Sequence, residues 1–132
     1  MRHFRQSIDP SRPAASSRQP GIAGRWRDAN GSILELEIAG SSLNGLYHVD
    51  FENSGELDAY ELTGTACGDF LAFTVDLSPH GVLAAFVGQA FPAGMPPEGL
   101  HLVWLLTEKA DGPDQAGAIL SGEADFRRTD DQ

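Results

Sequence analysis

From Gly21 to about Arg128 the apolar residues come in evenly spaced runs of five to eight, each closed by a turn rich in Gly, Pro, Asn or Asp. Runs this short suit strands better than helices, and with 15 Gly and 8 Pro as punctuation the chain reads as all-β. Ile33 to Ile38 alternates cleanly, with Leu34, Leu36 and Ile38 on one face and Glu35 and Glu37 on the other. Phe70 to Leu77 does the same with Leu71, Phe73, Val75 and Leu77. Leu100 to Thr107 departs from this rule, because it is apolar on both faces and so needs cover on both. Leu102, Trp104 and Leu106 fit a barrel interior, which leaves Val103 and Leu105, beside His101 and Thr107, to meet a second subunit.

The strands expected in chain order are 24–27, 33–38, 43–49, 60–65, 70–77, 82–90, 100–107 and 116–128, the last broken at Gly122. Asn30-Gly31 is a strong turn signal between the first two, and a longer polar loop runs from Asp50 to Asp58. Eight strands joined by hairpin-length connections most simply make an antiparallel up-and-down β-barrel, since closure removes the exposed edges. A two-sheet sandwich fits the same pattern less simply. A barrel of this size leaves room inside for side chains and one small ligand.

At 132 residues the chain has material for one domain, expected over 21–132, preceded by a disordered arm over 1–20. The arm holds Arg2, Arg5, Arg12 and Arg18 against Asp9 alone, and lacks the apolar stretch of about 7 to 15 residues that marks a signal peptide. Two locations stay open, inside the cell or, with a leader removed, a secreted form. No segment reaches the roughly 18 to 20 apolar residues needed to span a bilayer. A net charge of −10 argues against nucleic acid and anionic membranes as partners. Cys67 has no second cysteine to pair with and is expected to be a small buried or half-buried residue. His3, His48, His80 and His101 have no metal-ligand spacing, so no metal is expected.

Several segments then fall into a known order. Gly24-Arg25-Trp26, Gly31-Ser32, Gly45-Leu46-Tyr47, Leu62-Thr63-Gly64-Thr65, Phe73-Thr74-Val75, Gly88-Gln89, Trp104-Leu105-Leu106-Thr107 and Gly122 with Phe126 together resemble the avidin and streptavidin family. The resemblance covers Gly24 to Arg128 without interruption. It implies a streptavidin-like barrel with a biotin-shaped pocket at one end, no cofactor or metal, no catalysis, and a dimeric or tetrameric assembly.

Carried over residue by residue, the resemblance keeps Ser32 and Tyr47 as donors to the ureido oxygen of biotin, Trp104 and Leu106 as floor, and Phe86 as aromatic wall. Asp28 stands where the family has a third donor, Asn, and Asn30 where it has Leu. A wall Trp falls on Leu77, and polar contacts fall on Val82, Ala84 and Ala124. The Trp lent by a neighbouring subunit falls on Ala116, and a loop Asn corresponds loosely to Asn53. The expected ligand-binding set is thus Asp28, Asn30, Ser32, Tyr47, Asn53, Leu77, Ala84, Phe86, Trp104, Leu106 and Ala124. Asp28 is open to two readings, as a cap on its own turn or as a pocket group that offers a ureido oxygen only acceptors. The function expected is non-catalytic binding of biotin or a biotin-like ligand, weaker than in typical members, by a homo-oligomer with the dimer favoured over the tetramer. Two alternatives stand beside it: a barrel that lost biotin and serves as an interaction module, and an enzyme using Asp28 as general acid/base.

Overall fold

The tight turns set the topology. β2 (Ile33–Ala39) and β3 (Ser42–Val49) are joined by Gly40-Ser41, and β4 (Asp58–Cys67) and β5 (Phe70–Leu77) by Gly68-Asp69. Gly40 and Gly68 take φ of 63° and 62°, a left-handed conformation that glycine enters without a Cβ penalty. The computed structural model describes residues 21–91, 97–108, 112 and 117–129, and in it β1 (Gly24–Asp28), β6 (Val82–Phe91), β7 (Gly99–Glu108) and β8 (Ile119–Arg128) complete the set. A single 3₁₀ turn, Ser78–His80, links β5 to β6.

Each strand pairs antiparallel with its chain neighbours, and β1 also pairs with β8, Asp28 opposite Phe126, so the sheet is a closed barrel. Closure rules out the sandwich. The expected arm, residues 1–20, and Ala116 lie outside the described residues.

The alternating runs point as their spacing requires: Leu34 and Leu36, and Leu71, Phe73, Val75 and Leu77, are all buried. β7 splits its two apolar faces, with Leu100 and Leu102 in the core and Val103 and Leu105 45% and 49% exposed on the outside. Two sequence expectations fail. β8 runs unbroken through Gly122 and begins at Ile119 rather than 116. Cys67, the last residue of β4, is exposed rather than buried, because strand parity turns it away from Leu62 and Ala66 on the core face.

One end of the barrel is plugged. Trp26 is fully buried and donates through Nε1 to the Ile22 carbonyl at 2.9 Å. The Arg128 guanidinium lies 4.2 Å from the centre of its ring, a cation–π stack. Arg128 also donates to the carbonyls of Pro97 at 3.0 Å, Ala23 at 2.9 Å and Gly21, tying the chain's entry into the barrel to its last strand. The candidate cavity lies at the other end, beside the β1–β2 turn.

Candidate ligand cavity

The cavity begins at the β1–β2 turn. The Asp28 N–H donates to the Ser32 carbonyl at 3.0 Å and the Gly31 N–H returns to the Asp28 carbonyl at 3.2 Å. Asp28 Oδ1 then accepts from the N–H of Asn30 at 2.9 Å and of Ser32 at 2.8 Å. This is the self-capping that Asp performs in turns. Asp28 is also a lining residue of the cavity, so the turn cap and a place on the cavity wall coexist. The cap fixes Ser32, whose residue is only 6% exposed, as the start of the opposite wall.

Tyr47 follows on β3, in register with Leu34 of β2. Its ring meets Phe86 edge-on at 5.5 Å, and Phe86 stacks on Phe73 at 4.9 Å. Burial first, and then the Asp28 charge, push the Tyr47 hydroxyl above its ordinary value, while a hydrogen bond with Ser32 pulls the other way. Tyr47 therefore stays a protonated donor throughout the neutral range. A raised folded-state value gives stability that is complete below about pH 10 and is lost as pH rises through the folded value. The wild type is accordingly expected to lose stability relative to Tyr47→Phe above pH ~10, as read by denaturant melts of both proteins from pH 7 upward. Equal losses in the two would contradict it.

The floor comes from cross-strand register. Ala84 faces Leu106, Phe86 faces Trp104, and Trp104 faces Gly122. A Cβ at residue 122 would collide with Trp104 Cζ2, so glycine there makes room for the indole. That is why a residue which reads as a strand break is held inside a strand.

Together these side chains enclose a cavity of about 830 Å³, within the range of small-molecule sites. All the expected residues line it: Asp28, Asn30, Ser32, Tyr47, Asn53, Leu77, Ala84, Phe86, Trp104, Leu106 and Ala124. Val82 does not; it is buried opposite Leu77 at the start of β6, off the cavity wall.

The rim also includes residues the sequence did not single out for the site, chiefly Val49 at the end of β3, Asp50, Phe51 and Leu57 of the β3–β4 connection, and Glu123 and Asp125 of β8, whose side chains are largely exposed. The apolar Phe51 and Leu57 inside an otherwise polar loop were the available signal. Asp50 organises this loop, accepting from the N–H of Ser54 at 2.7 Å on Oδ1 and of Gly55 at 2.7 Å on Oδ2. Those two bonds, Ser54 first, hold its carboxyl below the usual range. Behind the loop Phe51 packs on His80 at 4.7 Å, and His80 Nε2 meets the Tyr60 hydroxyl at 2.7 Å. At the β8 rim His101 bridges Asp125, 2.6 Å from Nδ1, and Glu123, 3.3 Å from Nε2. The hydrogen bond with Asp125 is the main reason the His101 imidazole is raised above its ordinary value. Among the described residues no group of three His, Cys, Asp or Glu is placed to hold a metal ion.

A comparison with curated proteins found no match. Solved structures do match over most of the chain. The rhizavidin–biotin complex has a TM-score of 0.68 at 20% identity, covering 84% of this chain and 94% of that one. Xenavidin has a TM-score of 0.68 at 24% identity, covering 82% and 96%. Apo short afifavidin has a TM-score of 0.65 at 26% identity, covering 80% and 93%. The model of the Avidin family matches residues 16–129, nearly the whole chain and all eight strands of the barrel. On that match, the chain belongs to the avidin family.

Proposed function

We propose that residues 21–132 form a non-catalytic receptor for biotin or a ligand of the same shape, held in the open-end cavity. The observation that carries this reading is the convergence of two hydroxyls, Ser32 and Tyr47, with a floor of Trp104, Phe86 and Leu106 in one pocket. A fused-ring urea of biotin's shape would place its oxygen toward Ser32 and Tyr47 and its apolar ring edge on Trp104 and Phe86. Its carboxylate tail would run toward Asn53 and the β3–β4 loop. Rhizavidin, similar in fold, is seen with biotin in its solved complex. Titration calorimetry of the full chain with biotin tests the reading: saturable binding at one site per chain supports it. Absence of binding by both calorimetry and thermal shift would overturn it.

The receptor is proposed to act as a dimer. Leu83 and Val87 of β6, Val103 and Leu105 of β7, and Ile119 of β8 are all exposed. The register makes them one patch, with Leu83, Thr107 and Ile119 in one row and Val87, Val103 and Glu123 in another. Large exposed apolar patches of this kind mark interaction surfaces, and a two-fold contact needs only one self-complementary patch. Glu123 and Asp125 make the far edge of the patch acidic, which disfavours stacking a second pair across β8. Light scattering is expected to give a dimer at neutral pH and a monomer for Leu105→Lys. A wild-type monomer or a salt-resistant tetramer would contradict the proposal.

A further inference from the structure

The cavity's polar groups are mismatched to a neutral urea in one respect. Among the described residues its lining contains Asp28 and, at the exposed rim, Asp50, Glu123 and Asp125, and no Lys, Arg or His. Three of these acids are already engaged: Asp50 by the N–H groups of Ser54 and Gly55, and Glu123 and Asp125 by His101. Asp28 differs. Its Oδ1 is taken by the turn, but among the described residues no donor meets Oδ2. Asp28 shares the cavity wall with Ser32 and Tyr47, and its charge acts on the Tyr47 hydroxyl. Asn30 and Ala29 from the same turn, Trp104 from β7 and Ala124 from β8 line the same cavity and are neutral.

An ionised carboxylate offers only acceptors, whereas Ser and Tyr hydroxyls both donate and accept. A urea oxygen brought to this corner would satisfy the hydroxyls and face Asp28 with a second acceptor. A planar cation carrying N–H groups would satisfy all three, and carboxylates pair well with such forks. Resting on the reading of this cavity as a biotin-shaped site, we propose that Asp28 makes it selective for a small cyclic guanidinium or amidinium in place of the urea. The cap on Oδ1 holds the carboxylate at one fixed orientation, and the described lining carries no basic side chain, which leaves the ligand to supply the positive charge.

The test uses biotin and its cyclic guanidine counterpart, 2-iminobiotin, titrated into the full chain and into Asp28→Asn. Asn keeps an oxygen for the two turn N–H groups, so the turn survives the substitution. At neutral pH the wild type is expected to prefer the guanidinium ligand over biotin by about ten- to a hundredfold, the scale of one hydrogen bond to a charged group. Asp28→Asn should reverse the order, losing guanidinium affinity and gaining biotin affinity by similar factors. Raising pH until the guanidinium deprotonates should weaken that ligand on the wild type and leave biotin little changed. A wild type that binds biotin more tightly than the guanidinium, with an order unchanged in Asp28→Asn, overturns this inference alone. Failure of both ligands on both proteins overturns the biotin-shaped site and this inference with it.

Discussion

Biotin is expected to bind this chain about two to six decades more weakly than it binds a family member with a full set of polar contacts. Against the contacts that the family resemblance implies, three cavity positions depart: Asp28 presents an acceptor, and Ala84 and Ala124 present nothing polar. Each buried group of the ligand left unpaired costs about 1–3 kcal/mol, so the three together cost about 3–9 kcal/mol. Each ~1.4 kcal/mol is tenfold in affinity, which gives the decades above. The sites are neighbours, so their costs will not simply add. Val82 drops out of the sum because it lies off the cavity wall. Competition calorimetry measures the constant, and sub-picomolar binding would contradict this account of the pocket.

The plugged end should be the most mutation-sensitive part of the barrel. Trp26→Ala removes a fully buried indole, its bond to the Ile22 carbonyl and the platform under Arg128. Truncating a buried aromatic costs about 3–5 kcal/mol. Against a typical total of about 5–15 kcal/mol this is a large share, so much of the variant should be unfolded at moderate urea concentrations. Trp26→Phe keeps a ring in place and should cost clearly less. Urea melts of the three proteins give the comparison; a loss below about 1 kcal/mol for Trp26→Ala would show that Arg128 and Ile22 close this end without it.

Much of the barrel was legible because strand parity translates directly into burial. Leu34, Leu36, Leu71, Phe73, Val75 and Leu77 face inward as their alternation requires. The two-faced character of Leu100 to Thr107 likewise became a core face and an exposed apolar face. What parity cannot give is how one strand's side chain fills the space above its neighbour. Gly122 looked like a break because its partner, the Trp104 indole, is remote in sequence. Cys67 looked buried by residue type, yet its position at the end of β4 turned it outward. The β3–β4 loop contributes Phe51 and Leu57 to the cavity through a fold set by Asp50, a local hydrogen-bond pattern that composition does not reveal. Asp28 was legible as two competing roles, because one sequence position does not say that a carboxylate has two oxygens to spend separately. The residues expected at the ligand were drawn from five separate stretches and from all but two of the strands, and the closed topology brings them to one cavity.

A biotin-shaped ligand is proposed to rest on Trp104 inside the open end of the barrel. The chain has 2 tryptophans, and Trp26 is sealed in the opposite end. In Trp26→Phe, whose fold is first checked by circular dichroism, intrinsic tryptophan emission reports on Trp104 alone. Titration with biotin and with its guanidine counterpart should produce a saturable change in that emission at one ligand per chain, with the same dissociation constants found by calorimetry. Saturable binding that leaves the Trp104 emission unchanged would place the ligand elsewhere and contradict the account.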